Sequence, residues 1–386
     1  MATVVISPCN VVNFIEGGGG HFWVYMQYAA ALRKIGCDVW WLERVRRPDE
    51  GADSPVPAFA EMMERFGLAG KFILYESEEE ANGELAPLRY LNTTPSAAQE
   101  VFRRADLLLN FFYAIDPALL AQFRRTALVD IDPGLLQFWM KVGQIRVAPH
   151  DAYLTTGETV GTPAARFPDG GLVWHHIRPC VFLDHWPFHF DPACEAFTTV
   201  SSWWGTGDWI LGEGADYENN KRVTFLDFAD LPRHTSQPLE LALFLSEEEH
   251  DQRDRHLMES RGWRIRHSLE VSRTPQMYQS YIRQSRGEFS CVKPSCINFA
   301  NAWVSDRTLC YLATGKPVVV QHTGPSAFLP SGEGMFRFTT IDEAARAFDI
   351  VNADYRRHCD AARGIAETHF DATAITRTIL NVALRS

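Results

Sequence analysis

The residues of this 386-residue chain whose types and spacing can do chemistry gather in a few short stretches. In Ser305-Asp306-Arg307-Thr308 a hydroxyl residue opens a short apolar run, Leu309, Cys310, Leu312 and Ala313, which Gly315 ends. Serine suits an N-cap and glycine suits C′, so the spacing predicts a helix whose free amides fall at residues 305–308, with Arg307 beside them. Amide hydrogens, a positive dipole end and a guanidinium together suit a diphosphate. Lys293, in the loop before this run, and more weakly Lys221 are further cations able to offset charge on a departing diphosphate. The same features also fit an ordinary αβ unit whose capped helix holds nothing.

A second set is acid–base in character. His21 follows the run Gly17, Gly18, Gly19 and Gly20, and an imidazole titrating near neutrality can take a proton from a hydroxyl. It also fits a helix-start histidine bonded to backbone. Asp132 ends a strand in Asp130-Ile131-Asp132-Pro133-Gly134, as a carboxylate that orients a hydroxyl or as a plain turn residue. Glu288 is expected at a strand end, either binding ligand hydroxyls or pairing with Arg286. Glu158, after the Thr155-Thr156-Gly157 strand end, is expected on the same edge as the glycine loop, together with Asp132 and His150. His175, His176, Asp184, His185, His189 and Asp191 match no zinc spacing, and Pro187 interrupts any helix that would align them. No metal is expected. GxSxG, a P-loop and HExxH are all missing from the sequence.

The elements that must position these residues alternate strand and helix. Strand 3–7, the glycine loop, helix 22–35 and strand 39–42 make a βαβ unit with its glycines at the carboxyl end of the first strand, where open α/β sheets bind ligands. The spacing is not GxGxxG, and Glu43 alone is a poor case for a dinucleotide oxidoreductase. A polar loop over 46–57 precedes helix 58–66, strand 71–75, helix 95–104 and strands at 107–112, 128–131 and 152–155. Residues 178–195, with three prolines, read as a connector. The second half restarts with strand 197–200, a glycine- and aromatic-rich loop 203–220, strand 239–245, helix 247–260, strand 263–265 and helix 276–285. Val318, Val319 and Val320 give a buried parallel strand, and helices over 342–352, 354–368 and 371–384 close the chain. The expected division is 1–178, connector 179–195, 196–368, and a terminal helix 369–386 that packs back on the first domain.

Composition sets limits. Hydrophobic content of 46% and charged content of 22% are those of a globular protein. A formal charge of −11 argues against nucleic acid or an anionic membrane as partner. No 18-residue apolar run and no basic leader are present, and eight scattered cysteines without a CxxC pair suggest reduced thiols in the cytoplasm.

Read together, Ser285-Arg286-Gly287-Glu288-Phe289, Ser305-Asp306-Arg307-Thr308 and Tyr311-Leu312-Ala313-Thr314-Gly315-Lys316-Pro317-Val318-Val319-Val320 resemble the donor half of group-1 (GT4-like) bacterial glycosyltransferases. The Gly17-to-His21 loop and the segment ending Val39-Trp40-Trp41-Leu42-Glu43 resemble that family's acceptor half. The resemblance implies a GT-B fold, two Rossmann-like doubly wound α/β domains facing across a cleft. It also implies transfer of a sugar from a UDP-, GDP- or dTDP-sugar co-substrate to an acceptor nucleophile, without an obligatory metal or other cofactor. Thr323 and Gly324 would shape the sugar pocket. One departure matters: aligned on Gly315-Lys316-Pro317, the two carboxylates of the family's Glu-x7-Glu pair fall on Ala302 and Cys310. A sugar-nucleotide epimerase or hydrolase, and a non-catalytic sugar-nucleotide-binding protein, are the alternatives. The sugar, the base, the acceptor, the stereochemical outcome and the oligomeric state are not encoded in these motifs.

Overall fold

A computed structural model describes residues 1–46, 53–76, 88–205, 209–210 and 216–385. The chain divides into two compact units. The first comprises residues 1–161, 168–178 and 372–386; the second comprises 162–167 and 179–371.

The first unit is built on β1 (Thr3–Ser7), β2 (Asp38–Arg44), β3 (Phe72–Glu76), β4 (Arg89–Tyr90), β5 (Leu107–Asn110), β6 (Thr126–Asp130), β7 (Ala152–Thr155) and β8 (Trp174–His176). They form one sheet in the order β4-β3-β2-β1-β5-β6-β7-β8, parallel except for the β3–β4 pair. β1 sits centrally, with Val4, Val5 and Ile6 fully buried. Such continuous apolar runs are what a parallel sheet covered on both faces requires. The helix Gly19–Lys34 begins three residues before the expected start, so Gly19 and Gly20 are helical and only Gly17 and Gly18 remain in the loop. This helix buries residues on nearly every face and contacts the terminal helix Ala372–Arg385, which lies within this unit. A helix covered on both sides loses the one-sided apolar stripe of a surface helix.

The second unit carries β9 (Phe197–Ser202), a short hairpin β10 (Trp209–Ile210) and β11 (Tyr217–Glu218), β12 (Leu239–Phe244), β13 (Arg264–His267), β14 (Gly287–Ser290), β15 (Val318–Gln321) and β16 (Met335–Phe338). Its six-stranded sheet runs β13-β12-β9-β14-β15-β16, parallel throughout. Phe197, Leu241, Phe289, Val319 and Phe348 belong to one buried cluster. Phe167, from the short segment 162–167, packs its ring at a tilt against that of Phe299 in the same unit, centroids 5.5 Å apart.

Most expected elements are found within a few residues of their expected bounds. Those not anticipated include the short strands β4, β8, β10, β11 and β16 and the short helices Pro117–Leu120, Leu135–Lys141, Lys221–Asp227, Leu269–Ser272 and Pro294–Asn298. Each is seven residues or fewer, too short for hydrophobic periodicity to register. Residues 47–52 of the expected polar loop, and 206–208 and 211–215 of the aromatic loop, lie outside the described residues. No helix among the described residues is long and apolar enough to cross a membrane.

Candidate functional site

Because the second sheet is wholly parallel, the segments that follow its strands leave from one edge, the edge at which open α/β sheets hold ligands. Three cations arrive there on three different segments. Lys221 opens the helix Lys221–Asp227, Lys293 precedes the helix Pro294–Asn298, and Arg307 lies in the first turn of the helix Asp306–Thr314. The segments are fastened to one another. Ser295 N–H donates to Asn219 Oδ1 at 2.8 Å, Thr224 Oγ1 donates to the Val292 carbonyl at 2.5 Å, and Val292 N–H donates to Gln321 Oε1 at 3.0 Å. Burial pushes the Lys221 ammonium down to about 7, and the charges of Arg307 and Lys293 push it the same way. An anion placed among them would relieve that repulsion.

Arg307 is used differently from what its position at a helix start suggests. Its guanidinium turns inward, donating to Glu288 Oε1 at 2.6 Å, to the Val200 carbonyl at 2.8 Å and to Ser290 Oγ. Its N–H groups thus meet protein acceptors, and its charge reaches the edge as a field. Glu288 is likewise not at a strand end. It is the second residue of β14, fully buried, and its Oε2 has no hydrogen-bond partner. Arg286, the alternative partner considered for Glu288, instead donates to Asn352 Oδ1 and the Cys194 carbonyl.

Ser305 occupies the N-cap position with extended backbone, yet its side chain makes no capping bond; the first helical hydrogen bond runs from Leu309 N–H to the Ser305 carbonyl. Asp306 is the first helical residue, and Thr308 is buried one turn in. Thr323 Oγ1 donates to the Trp303 carbonyl at 2.8 Å, and Ala302 N–H donates to the Thr323 carbonyl at 2.9 Å. Gly324, with φ of +121°, packs where a Cβ would come within 2.6 Å of the Ala300 carbonyl oxygen. Thr323 and Gly324 therefore brace the 298–304 loop, in which Ala300 and Ala302 hold positive φ of 49° and 56°. Each costs about 1–2 kcal/mol for an L-residue. Ala302 and Cys310, where the resemblance would place carboxylates, are both buried.

In the first unit the corresponding edge is acid–base in character. His21 lies in the first turn of its helix, whose N-cap, Gly18, packs so closely that a Cβ would fall 2.8 Å from the Phe14 carbonyl oxygen. The His21 Nε2 lies 2.6 Å from the Cys9 carbonyl. A carbonyl only accepts, so the proton sits on Nε2 and the lone pair of the neutral ring sits on Nδ1. Burial holds this imidazole below its ordinary range, opposed by the Cys9 carbonyl and the Asp132 charge. The rings of Phe14 and Tyr25 meet it edge-on at 5.7 and 5.3 Å.

Asp132 is exposed and accepts from Tyr113 Oη at 3.3 Å; the same hydroxyl lies 3.5 Å from Asp130 Oδ1. Asp130 is the residue that sequence reasoning passed over. It is fully buried at the end of β6, and its Oδ2 accepts from Gln137 Nε2 and Thr155 Oγ1, both at 2.8 Å. Burial pushes it up to about 7 against those hydrogen bonds. The available signal was an acid closing an otherwise apolar strand. Glu158 sits in the turn after β7, half-buried, beside Gly157. His150 is not at a strand end: it precedes β7, and its Nδ1 and Nε2 meet the Ala148 carbonyl at 2.7 Å and Asn110 Nδ2 at 3.1 Å. Glu43 is fully buried, accepting from Val12 N–H and Trp41 Nε1, and burial pushes it up to about 7. It holds the loop before the His21 helix and has no exposed face for a ribose. Among the described residues, no group of three His, Cys, Asp or Glu side chains is placed to hold a metal ion.

No protein-family model matches the sequence, and no curated protein matches it either. Solved structures do match in shape. A sucrose-phosphate synthase from Thermosynechococcus elongatus superposes with a TM-score of 0.58 at 11% identity, over 99% of this chain and 98% of that one. Anabaena HepE in complex with UDP and glucose gives 0.57 at 11% identity, over 99% of each chain. An alpha-glucosyltransferase in complex with UDP gives 0.61 at 10% identity, over the full length of both. Identities this low carry the fold alone: two Rossmann-like domains of the GT-B type.

Proposed function

We propose that this GT-B chain is a glycosyltransferase that moves a sugar from a nucleotide-sugar donor to a hydroxyl or other nucleophile of an acceptor. The observation that carries the reading is the convergence of Lys221, Lys293 and the Arg307 charge at the carboxyl edge of the second sheet, beside the amino end of the helix Asp306–Thr314. Positive charge fixed where a diphosphate departs lowers the barrier to its departure. Lys221 and Lys293, with Ser305, Asp306 and Thr308 at the helix start, would contact the donor. Arg307 and Glu288 would hold that wall in place, and Thr323 and Gly324 would set the loop against it. The charge would be offset by these groups rather than by a metal.

In the first unit, His21 Nδ1 would accept the acceptor proton if the configuration is inverted, with Asp132 orienting the hydroxyl and Gly17, Gly18 and Glu158 lining the approach. The similarity to structures holding UDP, and UDP with glucose, favours a UDP-sugar as the first donor to try. Eight free cysteines favour a reducing compartment such as the cytoplasm.

The decisive experiment is a thermal-shift panel of UDP-, GDP-, ADP- and dTDP-sugars, followed by product analysis with and without acceptors. A ligand at one hundred times its Kd stabilises the folded state by about 2.7 kcal/mol. One donor is expected to raise the Tm, and sugar is expected to leave it only when an acceptor is supplied. Turnover without an acceptor would identify a hydrolase or epimerase. Donor binding by the unaltered chain with no turnover under any condition would identify a binding protein.

A further inference from the structure

Behind the candidate donor helix, at the turn after Gly315, Lys316 is fully buried. Among the described residues no carboxylate forms an ion pair with it, although an enclosed ammonium ordinarily demands one. The hydrogen-bond partner that its Nζ has is a thiol: Cys194 Sγ, 3.8 Å away. Cys194 lies near the end of the connector, and its S–H is also 3.8 Å from the Arg283 carbonyl. Cys359 and Asp191 are close enough for their charges to act on Lys316. Burial lowers the Lys316 ammonium and raises the Cys194 thiol, so enclosure favours the uncharged form of each group. Cys194 also lines a cavity of about 370 Å³ with Thr198, Glu240, Arg264, Arg266 and Ser285, which is room for a small oxidant.

We propose that Cys194 and Lys316 are an oxidisable pair that a hydroperoxide converts into a covalent Sγ–Nζ link, tying the connector to the turn that ends the 306–314 helix. The Lys316 amine takes the thiol proton. The thiolate attacks one peroxide oxygen and the O–O bond breaks, leaving a sulfenic acid on Cys194 and a hydroxide (hydrogen peroxide being the simplest case). That hydroxide takes the proton back from the ammonium and departs as water. The amine, neutral again, attacks Sγ; the S–O bond breaks, and the second hydroxide leaves as water with an amine proton. Sulfur gives up two electrons, the peroxide gains two, and the protein loses two hydrogens. Sulfenic acids are known to condense with nitrogen nucleophiles in this manner. The pair is independent of the proposed transferase chemistry.

The test is peptide mapping by mass spectrometry of the full chain, treated with hydrogen peroxide and digested without reductant. The expected product joins the Cys194 peptide to the Lys316 peptide, lighter than their sum by two hydrogens, and dithiothreitol releases it. Lys316→Met and Cys194→Ser should each abolish it, whereas Cys359→Ala should leave it in place. Should Lys316→Met fail to fold, the two cysteine variants still decide the matter. Cys194 found as a sulfinic acid, in a disulfide with Cys359, or joined to Lys316 through an added oxygen would overturn the proposal, as would an unmodified Cys194.

Discussion

The two sheets share one plan and carry opposite chemistry at their carboxyl edges. In the first unit that region buries the acids Asp130 and Glu43 and holds a histidine, His21, kept by burial below its ordinary range against the pull of the Cys9 carbonyl and Asp132. In the second, cations gather at the edge, and behind it Glu288 is fully enclosed against Arg307. A parallel sheet supplies a place for ligand and says nothing about charge. The residues hung on the strand ends divide the labour: proton transfer suits the first edge, and stabilising an anionic leaving group suits the second.

The comparison breaks most visibly at His21. His21→Ala should lower kcat by about 10²- to 10⁴-fold, the usual contribution of general base catalysis, while the donor-induced thermal shift stays intact. Equal loss of both would place His21 outside the acceptor chemistry. In the second unit Glu288→Ala should destabilise the fold by about 3–5 kcal/mol, because it leaves the Arg307 charge enclosed without its partner. Chemical denaturation reads this, and an unchanged midpoint would mean that the pair does not hold the edge together.

Gly315→Ala should cost roughly 1–3 kcal/mol. Its φ is +79°, and an added Cβ would sit 2.4 Å from the Phe188 ring, so strain and overpacking act together. Lys221→Met should weaken donor binding about tenfold, near the worth of one hydrogen bond to a charged group, with kcat for saturating acceptor little altered. Titration calorimetry on that variant separates a binding lysine from a buried structural one.

The smallest effect is a pair of opposite pH trends. Asp130 and Glu43 rise from ordinary values of 3.8 and 4.5 to about 7 in the folded protein. The folded state therefore binds more protons between about pH 4 and 7, and stability from these groups declines across that window as pH rises. Lys221 falls from 10.5 to about 7, so the unfolded state binds more protons above pH 7, and stability from this group grows as pH climbs from 7 toward 10.5. Denaturation at a series of pH values should show Asp130→Asn flattening the lower window alone and Lys221→Met the upper window alone. Donor affinity should also weaken above pH 7 as Lys221 loses its proton.

Much of the fold was legible because its signals are local and strong. Val318, Val319 and Val320 bounded by Gly315 and the 322–324 turn, or the glycine run before Phe22 and Met26, admit few readings. What failed shares a physical cause. Arg307 and Glu288 look like surface groups at a helix start and a strand end, yet Glu288 faces inward from the body of β14, and an arginine 19 positions away reaches it. Asp130 was overlooked beside Asp132 because adjacent acids look alike until the strand's last residue is enclosed by Gln137 and Thr155.

By itself the amino-acid sequence determined the alternation of strands and helices, the absence of the Glu-x7-Glu carboxylates and the identity of the residues able to do chemistry. Those follow from near-neighbour periodicity, capping and turn preferences. Which acids are buried and held protonated near neutrality, which cation turns inward, and which amine meets a thiol were decided only by tertiary structure. Burial and pairing depend on residues tens to more than a hundred positions apart in the chain, and desolvation acts on a charge only once those residues have closed around it.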